Sequence, residues 1–278
     1  MEENPGNYVL VAGKTGSGKS TVQNCLVRYM TTVEKTFSVE PVPADKSVDG
    51  RDILDEWAAL WDEGKLAPET AAGQPKDHVY RLRPGKQHKD KPTIEIGFIE
   101  ISGADLEALA AAVGEEAPAL PAKPAGVLGN AAIKPVLVLV CDAAEPAGAA
   151  PTQDALFAAF IARLKSEFGE AVVSRCPVLL LATRLGQGEA AGTDLASFAG
   201  ENLPATLAAL QDWRAGYALA ELDVGAIETA PDGEPLLPSP KFDDAAKIFR
   251  WVYFQFTRYP VVDPFFSRLW RSVRKSVS

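Results

Sequence analysis

GKTGSGKS, residues 13–20, follows the apolar run YVLVAG that begins at Tyr8, and it precedes a helical pattern from Lys19 to Met30. The run is short, rich in β-branched residues and closed by glycine, so it reads as a buried parallel strand. Gly13, Gly16 and Gly18 let the backbone wrap tightly, so that successive N–H groups converge on one anion, with Lys14, Thr15, Ser17 and Thr21 completing the wrap and first helical turn. Lys19 adds a cation at the height of β- and γ-phosphates, and the Ser20 hydroxyl is placed to ligate Mg²⁺. The helix presents its N-terminal dipole to the same anion. Strand, loop and helix together are the context that the pattern GxxxxGK(S/T) requires, and they make phosphate binding the reading.

The rest of the chain sets bounds on that reading. Its 278 residues suffice for one large domain or two small ones. A net charge of −9 argues against broad binding to nucleic acid, which is not expected as a partner. Cys25, Cys141 and Cys176 each fall in or beside a buried element, without metal-ligand spacing, and read as reduced thiols in a reducing, cytoplasmic setting. The polar, acidic start MEENPGNY is unlike a secretory signal, and no apolar run approaches the length of a membrane span.

Further strands are expected at HVYRLRP, PTIEIGFIEI, PVLVLVCD, CPVLLLAT and YALAELD. Helices are expected at VDGRDILDEWAALWDEGK, near Thr152 to Phe168, from Leu195 to Trp213, and at KFDDAAKIFRWVYFQF. The stretches EEAPALPAKPAGVLGNAAIKP and AAEPAGAAP, rich in Ala, Pro and Gly, read as mobile surface loops. The first two of these strands are joined only by GKQHKDK, too short for a parallel crossover, so they form an antiparallel hairpin. The expected fold is therefore α/β: a mostly parallel sheet with one antiparallel hairpin strand and helices on both faces.

Two carboxylates compete for a place near the metal, Glu100 in GFIEISG and Asp142 in VLVLVCD. With Glu100 on an arm of the hairpin, the order of elements resembles the translation-factor-related class of P-loop GTPases, to which Ras-like proteins belong. The resemblance covers residues 8–257, with Glu100-Ile-Ser-Gly103 where that class has DxxG. It implies a metal-bound water held by Glu100 and a Gly103 N–H that senses the γ-phosphate. It also implies a metal-ligating threonine on a first switch loop before the second strand: Thr70 is the candidate, with Thr36 the alternative. Residues 34–77 then form an enlarged helical first switch, more like the double-GTPase domains of bacterial conflict systems than a small eukaryotic GTPase. By the same resemblance the ligands are Mg²⁺ and GTP or GDP, and the partner is an effector protein.

Two departures from that class stand out. Ala104 replaces the glutamine that often follows DxxG, which predicts slow turnover, and Asp105 reads more simply as a helix cap than as its substitute. At the base, the class's Asn/Thr-Lys-x-Asp becomes Thr183-Arg184-Leu185-Gly186, with no carboxylate in register, although Glu189 is near. GTP is favoured by class and ATP stays open. Asp142 would serve instead in a P-loop kinase, and a scaffold that binds nucleotide without turnover is the other alternative. Trp57 and Trp61 read as packing of the insert before they read as a partner ridge. With residues 1–260 as the nucleotide domain, 261–278 form a basic amphipathic tail, of which 263–277 suits a membrane surface or a docking site less well than packing on the domain.

Overall fold

The structure is a computed structural model and describes residues 6–42, 57–65, 77–111, 118–145, 150–187, 192–231 and 235–261. In chain order the elements are β1 (Asn7–Ala12), α1 (Lys19–Arg28), a π-helical turn (Tyr29–Val33), β2 (Phe37–Val42) and α2 (57–62). They continue with β3 (Asp77–Pro84), β4 (Ile94–Glu100), α3 (Gly103–Ala111), α4 (Ala122–Gly129), β5 (Lys134–Asp142) and α5 (Gln153–Arg175). The last are β6 (Val178–Thr183), α6 (Leu195–Asn202), α7 (Pro204–Leu210), β7 (Tyr217–Leu222), the short pair β8 (Glu228–Thr229) and β9 (Pro235–Leu236), and α8 (Asp243–Thr257).

Seven strands form one sheet in the order β2-β3-β4-β1-β5-β6-β7. From β4 through β7 every pair is parallel, whereas β3 is antiparallel to both β4 and β2. The central strands are apolar throughout because both faces are covered. Alternate residues of β1 and β5 show how this works. Tyr8, Leu10, Leu137 and Leu139 join the core beneath α3, α4, α5, α6 and α7, while Val9, Val11, Val136 and Val138 join the core beneath α1, α2 and α8. Gly97 makes this packing feasible: it pairs with Tyr8, and a Cβ there would stand 2.2 Å from the Tyr8 ring.

Some expectations are corrected. Within 34–77 an unforeseen edge strand, β2, lies antiparallel to β3, so the hairpin is flanked by a further antiparallel strand. Pro41 argues against a strand in the sequence, but at a sheet edge its missing N–H costs no ladder bond. The Ala/Pro-rich segment before β5 is not wholly loop, since α4 runs through it and buries Val127 and Leu128. Pro204 at the start of α7 divides the single helix expected from Leu195 to Trp213. Trp57 and Trp61 are buried: Trp57 meets His78 edge-on at 4.9 Å, and the Trp61 indole N–H donates to Asn24 Oδ1. Among the described residues no helix is long and apolar enough to cross a membrane. The tail from 262 onward lies outside the described residues.

Candidate functional site

The parallel strands β1, β4, β5, β6 and β7 all end at one edge, and the Gly13–Ser20 loop rises from β1 at the centre of that edge. Crevices outside the carboxyl ends of parallel strands are where α/β sheets hold ligands. Gly16 (φ 78°) and Gly18 (φ 88°) take left-handed conformations that favour glycine, and a Cβ on Gly13 would stand 2.5 Å from the Val140 carbonyl oxygen. The loop's shape therefore depends on all three glycines.

Its side chains point to different tasks. Lys19 is buried and donates to the Lys14 carbonyl at 2.9 Å, closing the loop on itself. Lys14 leaves the cradle: its Nζ meets Glu145 Oε1 at 2.6 Å and the Pro151 carbonyl at 2.9 Å. Ser20 Oγ donates to Glu100 Oε1 at 2.9 Å. Glu100 is only 2% exposed, and its Oε2 has no hydrogen-bond partner among the described residues. A carboxyl group so buried, with an unused oxygen beside a serine hydroxyl, calls for a cation or an ordered water. Two hard oxygen donors next to a phosphate loop suit Mg²⁺, which commonly takes one or two carboxylates and fills the rest of its shell from phosphates and water.

The strand that carries Glu100 leads directly into α3. Ser102 Oγ accepts the Asp105 N–H at 3.0 Å and donates to Asp105 Oδ2 at 2.7 Å, so Asp105 is spent on the helix start. Gly103 lies against the loop, where a Cβ would stand 2.2 Å from Thr15 N. One helical turn on, Glu107 Oε1 accepts the Thr15 N–H at 3.2 Å. Nothing in the sequence singled out Glu107; its position one turn beyond Gly103 was the only signal.

On the other side, Thr183 Oγ1 lies 3.1 Å from the Ser17 carbonyl oxygen and 3.2 Å from that of Cys141, tying the end of β6 to the loop. Arg184 (φ 58°) turns its guanidinium onto Asp142, donating through Nε at 2.8 Å and again through Nη2. Asp142 is thus engaged with Arg184, and Glu100 is the carboxylate that faces Ser20. A cleft of about 610 Å³ opens over Gly16, Ser17, Gly18 and Thr21, and its far wall contains Thr183, Arg184, Asp223 and Lys241. Glu189 lies outside the described residues.

Of the two candidates for the switch threonine, Thr70 also lies outside the described residues. Thr36 is placed clearly. Its carbonyl accepts the Gly85 N–H at 2.8 Å, just beyond the Pro84 end of β3, whereas Asp77 at the other end pairs with Ile99 beside Glu100. The length of β3, roughly 25 Å at about 3.3 Å per residue, separates Thr36 from the site.

No protein-family model and no curated protein sequence matches the chain. Among solved structures it is similar to Toc33 from Arabidopsis thaliana, at 17% identity over 91% of this chain and 85% of that one, with a TM-score of 0.47. It is also similar to the signal recognition particle receptor SRb-GTP/SRX complex from Chaetomium thermophilum, at 14% identity over 90% and 98% of the two chains, with a TM-score of 0.46. The fold assignment rests on the chain's own geometry: strand order, antiparallel hairpin and Gly13–Ser20 loop together make this a P-loop α/β fold.

Proposed function

We propose that the chain is a Mg²⁺-dependent nucleotide switch that hydrolyses GTP slowly and acts on a protein partner. One observation carries the reading: the Ser20–Glu100 hydrogen bond at 2.9 Å, with the second Glu100 oxygen buried and unpartnered beside the phosphate loop. A P-loop kinase built on Asp142 is less well supported, because that carboxylate is taken by Arg184.

On this reading the backbone N–H groups of the loop and the Lys19 ammonium take the phosphates, while Ser20, Thr70 and Glu100 hold the metal, Glu100 through water. Mg²⁺ supplies charge neutralisation at the phosphate oxygens when bound. Glu107 gives the switch its lever. The Glu107 carboxyl accepts the Thr15 N–H, a donor of the loop for which a γ-phosphate would compete. Triphosphate binding would displace Glu107 and offer the Gly103 N–H to the phosphate instead, shifting α3. Loss of the γ-phosphate would let Glu107 return. With alanine at 104, no amide side chain orients the attacking water, which fits slow turnover. Residues 1–260 would form the nucleotide domain, and 261–278 a tail packed on it or on the effector.

Calorimetry with GTP, GDP, ATP and ADP, with and without Mg²⁺, tests the reading when phosphate release is followed in the same samples. Mg²⁺-dependent binding with slow release supports it. Absence of binding, or turnover only with an added phosphate acceptor, rejects it.

A further inference from the structure

The base end of the cleft lacks a carboxylate at Gly186, where the class pattern would put one, yet it holds another. β7 runs parallel to β6 with Leu222 beside Thr183, so the residues that follow, Asp223 and Arg184, emerge at the same edge and line the same cleft as Gly16, Ser17 and Gly18. Asp223 is held from three sides. Its Oδ1 accepts the Gly225 N–H at 2.9 Å, its Oδ2 accepts from Lys241 Nζ at 2.6 Å, and its own N–H donates to Asp244 Oδ2 at 3.1 Å. The turn below it is tight, for Gly225 has φ 104° and a Cβ there would stand 2.7 Å from the Ser239 carbonyl oxygen. The Lys241 N–H donates to the Val224 carbonyl at 2.9 Å, locking the segment before α8 onto the same turn. The hydrogen bond from Lys241 draws the Asp223 carboxyl below the ordinary aspartate range, so it is ionised at neutral pH.

We infer that Asp223 and Lys241 read the nucleobase and select guanine over adenine; this rests on the nucleotide-binding reading above. A carboxylate only accepts hydrogen bonds and an ammonium only donates them. Guanine presents the O6 acceptor next to the N1–H and N2–H donors, which complements a lysine beside an aspartate. Adenine presents an N6–H donor next to an acceptor ring nitrogen, which sets donor against donor and acceptor against acceptor. Each Asp223 oxygen keeps a lone pair for the base after its bond to Gly225 or Lys241. Leu185, Val224 and Ile227 supply apolar surface in the same cleft for a flat ring.

The experiment is calorimetric titration of the full chain with the Mg²⁺ complexes of GDP, ADP and xanthosine diphosphate. Asp223→Asn keeps Oδ1 for the Gly225 N–H, so the turn survives, but it turns one acceptor into a donor. Xanthine carries a carbonyl where guanine carries the N2 amino group, and so suits that donor. The wild-type chain should bind GDP about 100-fold tighter than ADP, and Asp223→Asn should lose at least about 10-fold for GDP while gaining for xanthosine diphosphate. Lys241→Met is the second variant: it should weaken both oxopurine diphosphates alike, since both carry O6, and tighten ADP by removing the donor set against its N6–H. Tight binding without base preference, or a GDP-to-xanthosine ratio unmoved by Asp223→Asn, overturns the base-reading pair and leaves the nucleotide reading intact. No binding of any of the three by the wild-type chain overturns both.

Discussion

On the proposed reading, the phosphate end of the cleft is made from consecutive residues, Gly13 to Ser20, with Glu100 added from the neighbouring strand. The base end draws Thr183 and Arg184, Asp223, and Lys241 from three separate connections. Geometry held within one turn of chain survives in the sequence as a spacing of glycines, lysine and serine. Geometry that depends on the register of β6 against β7, and on the segment before α8 folding back, leaves no spacing to find. The difference has a mechanical side too. At the phosphate end Lys19 and Glu100 are both nearly inaccessible, whereas the Asp223–Lys241 pair is more than half exposed.

If the phosphate end carries most of the affinity, Lys19→Ala should weaken GTP and ATP equally, by roughly 100-fold, or about 2–3 kcal/mol for a charged hydrogen-bond set. Titration of both nucleotides checks this; unchanged affinity would remove the phosphate end from the comparison altogether. Gly103→Ala should come next. Its Cβ has no room beside the Thr15 backbone, so α3 or the loop must move, at a cost of about 1–3 kcal/mol in denaturant unfolding. A variant as stable as the parent would show that the contact between α3 and the loop is slack.

Thr70→Ala should cost roughly 10-fold of the Mg²⁺-dependent preference for triphosphate over diphosphate, a loss of about 1.4 kcal/mol. Thr36→Ala should cost nothing, since it lies at the far end of β3. The reverse result would break the register argument. The smallest non-zero effect expected is from Glu107→Gln. Taking the negative charge from the carboxylate that occupies the Thr15 N–H should tighten triphosphate binding about 3-fold, within the range for one partly exposed charge. Weaker binding would make Glu107 a ligand of the nucleotide site instead of its competitor.

Much of the architecture was legible because it is written in periodicity. The apolar runs from Tyr8, Val136 and Val178 could only be strands covered on both faces, and the short GKQHKDK link left only a hairpin between β3 and β4. The edge strand β2 was not legible, because Pro41 signals a break wherever the ladder's far side is assumed to be occupied. In α4 the residues Ala122, Lys123 and Pro124 look like linker; the helix exists because Val127 and Leu128 find the core beside α5. At the site, the loop and Glu100 were visible as motif and strand end. Glu107, Asp223 and Lys241 were not, since each acquires meaning only through a partner far away in the chain.

All three cysteines lie in the interior, Cys25 on α1 and Cys141 and Cys176 on the opposite side of the sheet. Burial pushes the Cys25 and Cys176 thiols up to about 12 and Cys141 higher still. At neutral pH a thiol-specific reagent will therefore find almost no thiolate until the fold opens. The chain carries its own chemical clock for opening, with separate hands on the two sides of the sheet. Cys25 Sγ sits 3.9 Å from the Lys241 carbonyl, so its labelling rate also times the loosening of the segment beside Asp223.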